Sequence, residues 1–260
     1  MPYSKLKNYV ILLNNASCGI ILSMFNIKNN LEKEMVFTNV FGLDFFPPKP
    51  ATKEVAEWYK NTEEYVGGKQ VLEGGSVPHT IKKCIPVFDA ITAGYILYTQ
   101  TDVHVKFSEE EKVPYYTWPS QEPISFHPLL QASLHPLQNG APFPKWNNPY
   151  AITTPVGYST LFIPPMHNPN NIFTILSGLV DTDTYTAPVN FPFVLNDIKW
   201  EGIIPAGTPI AQAIPVKRDS WKHKIGSDKE RAEQEKITKK LHVLFFNSYK
   251  KQFWHKKEYR

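Results

Sequence analysis

The stretch GLVDTDTY, residues 178–185, holds the spacing in this chain that most suggests chemistry. Asp181 and Asp183 stand two residues apart behind a glycine and an apolar pair, with Tyr185 just beyond. A carboxylate on such a hairpin can orient and deprotonate a water through a hydrogen bond. A turn that uses two acids for capping or solvation has the same letters, because short acids also hydrogen-bond their own backbone. Both readings stand on the residues alone.

Other reactive groups are sparse. His127, His135 and His167 could join either acid in a His/carboxylate metal set. Their spacing fits no ligand motif and no HxH run is present, so no metal is expected. Cys18 and Cys84 lie in no CxxC arrangement, which argues against a disulfide framework or zinc site and for a reducing, cytoplasmic setting. The paired glycines of VGGKQVLEGGSV (66–77) mark a flexible loop; they lack the GxxxxGK[ST] order of a phosphate-binding loop. From Lys217 to Arg260 there are 14 Lys and Arg against 6 Asp and Glu, although the whole chain carries only +4. The terminal KKQFWHKKEYR interleaves basic and aromatic residues, which suits nucleic-acid contact. A solvated helix end has the same composition.

The elements that must position these groups read as mainly β. The 260 residues contain 23 prolines, scattered through apolar runs, as short strands with rigid turns require. YVILLNNASCGIILSMFNI (9–27) is interrupted by Asn14 and Asn15 and falls short of the roughly 20 apolar residues of a membrane span. It is read as two short strands or a leader, and no membrane partner is expected. A domain start near Met35 is one reading of the change in composition there. FFPPKP (45–50) must be extended. TKEVAEWYKNTEEY (52–65) predicts a helix capped by Thr52, with Val55, Trp58 and Tyr59 on one face. From about 81 to 216, short apolar runs from KCIPVFDAI to TPIAQAIPV predict strands. In TDVHVKF, Val103, Val105 and Phe107 should share one buried face. Ser227 and Glu230 stand at capping-box spacing before an amphipathic helix with Ile237, Leu241, Leu244 and Phe245 on one side. The segment 125–150, aromatic for a loop, is expected to be a long crossover packed on the core.

Four segments, in order, resemble motifs of the dUTPase-like superfamily, which includes dUTPases and dCTP deaminases. TAGYILYTQTDVHV (92–105) is similar to its opening Ala-Gly-Tyr run, and PVGYSTLFIPPMHN (155–168) to its strand leading into a Pro-Arg-Ser-Gly turn. GLVDTDTY is similar to its acidic hairpin, and AGTPIAQAIPV (206–216) to its Ile-Ala-Gln strand. The resemblance implies an all-β, β-clip domain over residues 80–217; the flanking residues read as an N-terminal arm with a short helix over 1–79 and a basic C-terminal helix over 218–260, which stands where the family has a Gly-rich lid. It also implies a homotrimer. On the matching positions it makes Asp181 the candidate catalytic base and Asp183, Tyr185, Gln212 and His167 the candidate nucleotide-binding residues.

The departures bear on activity. Ile96 replaces the acid of the opening motif, Met166–His167–Asn168 replaces the Arg-Ser-Gly phosphate grip, and Pro209 replaces an Arg. Tyr185 comes one residue late, which in a strand turns a side chain to the other face unless a bulge absorbs it. The deaminase branch fits no better: it needs a Glu to shuttle protons, and no acid near the hairpin matches it apart from Glu201. The chain is therefore expected to be a non-catalytic binding or assembly module with a degenerate nucleotide site, similar in general look to phage-encoded proteins of host cytoplasm or virion. The alternative is a diphosphohydrolase with a remodelled site, using Mg²⁺ and drawing its cationic donors from Lys217 or Arg218; otherwise no cofactor is expected.

Overall fold

The computed structural model describes residues 33–68, 79–119, 121–138, 140–243 and 248–260. The 9–27 stretch lies outside them, as does most of the glycine-paired loop. Met35–Arg260 forms one compact unit, distinct from the segment before it.

This unit is mostly β. Its strands begin with β1 (Val36–Asn39), β2 (Lys49–Pro50), β3 (Tyr95–Tyr98), β4 (Val103–Ser108) and β5 (Val113–Thr117). Next come β6 (Ile124–His127), β7 (Phe143–Trp146), β8 (Tyr150–Thr153), β9 (Tyr158–Ile163) and β10 (Phe173–Ile175). The last are β11 (Gly178–Val180), β12 (Phe191–Leu195), β13 (Gly202–Ile204) and β14 (Pro209–Lys217). They form antiparallel sheets in the orders β11-β9-β14-β3-β2, β10-β12-β7-β6, β13-β4-β5 and β1-β8. The larger of two buried hydrophobic clusters draws on all four sheets. Trp146 stacks on Phe193 with ring centroids 4.7 Å apart, and Phe173 leans on both. Val103 and Val105 are buried there as their alternation predicted, with polar neighbours outward.

Several segments depart from expectation. KCIPVFDAI is a helix, α2 (Ile85–Ile91), rather than a strand. Pro86 falls in its first turn, where a missing N–H costs nothing, and a short apolar run does not distinguish helix from strand. The helix expected over 52–65 shrinks to α1 (Glu57–Asn61), and Thr52 sits inside a preceding 3₁₀ turn instead of capping it. Segment 125–150 is no plain crossover. It supplies β7 and most of β6, which pair with each other, and β7 also pairs with β12. The residues drawn as an N-terminal arm contribute β1, paired with β8, and β2, paired with β3.

Glycine is required at Gly94, in the turn before β3. Its φ is +67°, and an added Cβ would collide with the Ala213 carbonyl oxygen of β14. β3 and β14 can therefore lie close. Past β14 comes α3 (Asp228–Val243), where the Glu230 carboxylate accepts from the Ser227 N–H at 2.7 Å as the capping-box spacing predicted. Its residues up to Lys239 are exposed apart from half-buried Glu230, so over this stretch the expected packed face is absent. Leu244 and Phe245, assigned to that face, lie outside the described residues. The chain closes with α4 (Ser248–Gln252) and a tail that returns to α2, where the Trp254 indole donates to both oxygens of Asp89.

Candidate functional site

The β9–β14 ladder carries the sequence-marked residues at its two ends. It runs from Gln212 opposite Ile163 to Lys217 opposite Tyr158. At about 3.4 Å per residue, five residues separate these ends by about 17 Å.

At the hairpin end, β11 pairs with β9 and the chain then turns sharply. Thr184 N and Tyr185 N both donate to the Asp181 carbonyl, at 3.0 and 2.8 Å. This turn takes up the extra residue before Tyr185, whose ring is left exposed. Thr182 between the acids is fully buried, and its hydroxyl lies 2.8 Å from those of Thr154 and Thr160. The two acids thus flank a buried hydroxyl network.

Asp183 is enclosed, with its side chain only 2% exposed. One oxygen accepts from the Gly157 N–H at 2.9 Å and also meets an Arg218 nitrogen, while the second Arg218 nitrogen reaches the other oxygen at 2.7 Å. Arg218 is aimed there by the end of β14, where its N–H donates to the Gly157 carbonyl at 2.8 Å. The guanidinium, then the backbone N–H, hold the Asp183 carboxyl down to about 2. Asp181 differs: its side chain is 62% exposed. It accepts from the Ser159 hydroxyl at 2.6 Å and lies 3.2 Å from Arg218. Lys217 pairs with Asp219 at 3.0 Å.

At the other end Gln212 is buried and fully engaged. Its Oε1 accepts from Met166 N at 2.8 Å, and its Nε2 donates to Ala90 O at 3.0 Å and Ala93 O at 2.6 Å. It thereby ties the Pro-Met-His-Asn turn to the end of α2. Ile96, opposite Gln212 across β3, is buried with Ala51 and Tyr98, an environment that favours the apolar side chain over an acid. His167 sits in this turn at φ +56°, exposed, and its carbonyl accepts the Trp58 indole N–H at 2.7 Å. Between Trp58, the turn, β10 and the start of β14 lies a cleft of about 580 Å³. Trp58 and Asn170 in its wall escaped the motif reading; a tryptophan in a short polar helix was the available signal.

Other marked groups are dispersed. The His127 ring pairs with Gln131 at 2.8 Å, and His135 meets the Phe143 ring. Glu201 accepts the Phe107 N–H at 2.9 Å. No cluster of three or more metal-ligating side chains occurs among the described residues. No described helix is long and apolar enough to cross a membrane. In the basic tail, Lys257 also pairs with Asp89, Lys256 and Arg260 pair with Glu258, and Tyr259 meets Tyr95 edge-on.

No family model matches this chain, and no curated protein matches it. Among solved structures, the chain is similar to a mutant dUTPase from phage phi11 of S. aureus. That match has 14% identity and a TM-score of 0.29, and covers 62% of this chain and 96% of the phage enzyme.

Proposed function

We propose that the chain is a non-catalytic, β-clip-like module of dUTPase-like type that binds and assembles, with the homotrimer as its working form. The observation that carries the reading is the bidentate Arg218–Asp183 pair. A phosphate grip needs free cationic donors. Arg218 is spent on an enclosed acid, Lys217 is paired with Asp219, and the turn that should hold donors presents Met166 and His167. The donor set also suits Mg²⁺ poorly, because Asp183 already uses both oxygens and Arg218 lies against Asp181.

Support for assembly comes from the surface. Residues 123–144 include no Asp, Glu, Lys or Arg. Within them Leu130 and Leu134 are 86% and 97% exposed, flanked by half-exposed Leu129 and Leu137. An uncharged leucine-rich surface fits a second copy of the chain, since it brings no like charges together.

The test is a thermal-shift series with deoxynucleoside di- and triphosphates, with and without Mg²⁺. A ligand at a hundredfold excess over Kd adds about 2.7 kcal/mol. The reading expects no shift that needs both triphosphate and Mg²⁺. Such a shift, lost in Asp181→Asn, would establish the hydrolase alternative instead. In parallel, light scattering on Leu134→Glu should show a smaller species than wild type; an identical mass would end the assembly reading of this surface.

A further inference from the structure

We infer that the cleft beneath Trp58 is a binding site for an uncharged heteroaromatic ring, distinct from the acidic hairpin. It deepens the binding-module reading, on which it rests, by giving that module a ligand class.

The cleft has the size and character of a small-molecule site, at about 580 Å³ with an apolar lining and a few polar groups. Much of its wall is stiff. Pro164, Pro165, Pro169 and Pro209 contribute rigid rings, and buried Phe173 forms part of the lining. Trp58 is held by its indole hydrogen bond to the His167 carbonyl, and buried Gln212 anchors the adjoining turn through Met166 N. Trp58 is 41% exposed, so aromatic surface remains available to a ligand.

Charge selects the ligand. The lining contains no Asp, Glu, Lys or Arg, so a phosphate or carboxylate would be desolvated without a countercharge. A neutral ring incurs no such cost and can pack on the indole. Asn170 gives the ring an edge contact. Its Oδ1 is fixed by the N–H groups of Ile172 at 2.7 Å and Phe173 at 3.2 Å. That assignment leaves its Nδ2 as a donor with no partner among the described residues, matched to a ring nitrogen or carbonyl. His167 also lines the cleft, on a backbone at φ +56° that side chains rarely adopt.

The experiment is ligand-observed NMR with isothermal titration of the full chain, using adenine, thymidine and deoxyadenosine and, in parallel, deoxyadenosine triphosphate. Binding is expected for at least one neutral ring, with the triphosphate binding no more tightly than its nucleoside. The free base distinguishes ring recognition from recognition of the sugar. Trp58→Leu should weaken binding at least tenfold. Asn170→Asp keeps the acceptor that orders the loop but removes the donor, and should weaken it severalfold, with melting of both variants followed to show that they fold. No binding by any neutral probe overturns the inference, as does unchanged affinity in folded Trp58→Leu or a triphosphate bound tenfold more tightly. Diphosphate release from the triphosphate would instead end the non-catalytic reading, so the two fail separately.

Discussion

The two ends of the β9–β14 ladder use polar groups in opposite ways. At the hairpin end the acids look ready for chemistry, yet Asp183 has every oxygen satisfied and the neighbouring cation is spent on it. At the turn end no Asp, Glu, Lys or Arg lines the cleft, yet His167, Asn170 and Thr174 put polar residues in its wall. Buried Gln212 has every side-chain polar atom engaged and shapes the turn, while the Nδ2 of half-buried Asn170 has no partner among the described residues. Residue type marks where polar groups gather. Whether they act on a ligand depends on what their hydrogen-bonding capacity already serves.

The largest effect that tests this contrast belongs to Gln212→Leu. The substitution keeps roughly the same volume but strands the Met166 N–H and the Ala90 and Ala93 carbonyls beside an apolar side chain. Leaving buried partners unsatisfied costs on the order of 1–3 kcal/mol each at most, so a loss of about 3 kcal/mol in urea unfolding is expected. A loss under about 1 kcal/mol would show that Gln212 is not the brace and that the two ends are more alike than their contacts suggest.

A smaller, pH-dependent effect is expected at the hairpin. The folded Asp183 carboxyl is held near 2 against an ordinary 3.8. A depressed folded value adds stability above the unfolded pKa, and that contribution is lost as pH falls through the folded one. The melting temperature of Asp183→Asn should lie several degrees below wild type from neutral pH down to about 4. The gap should then close toward pH 2. A gap that persists unchanged at pH 2 would mean that the substitution acts through packing and that Arg218 does little for the acid.

Much of this arrangement was legible beforehand, and the rest was hidden for identifiable reasons. Alternation in TDVHVKF and the Ser227–Glu230 spacing are local signals, and both elements are present. α2 was misread because Ile85–Ile91 is too short for its period to separate helix from strand. The pairing of β1 with β8 links residues more than a hundred positions apart, which no local pattern encodes. The acids, Gln212 and His167 were all marked by motif resemblance. Their separation along one ladder follows from register, and the capture of Arg218 by Asp183 joins residues 35 apart in sequence. The cleft depends on Trp58 from α1 meeting a turn more than a hundred residues later, so its wall could not be assembled from the sequence.

The smallest expected effect is the sharpest test of the hairpin. Asp181 is the acid that a water-activating mechanism would use, and its side chain is 62% exposed with one strong partner, the Ser159 hydroxyl at 2.6 Å. Asparagine preserves an acceptor for that hydroxyl, and surface changes of this kind stay within about 0.5 kcal/mol. If Asp181 serves the turn alone, Asp181→Asn should melt like wild type and bind neutral rings with the same affinity, because the cleft lies at the far end of the ladder. A weaker ring affinity in this variant would mean that the two ends communicate, and the division between a spent hairpin and an open cleft would fail. Unchanged binding, together with a loss in Trp58→Leu, would place recognition at the turn end and leave the acids as part of the scaffold.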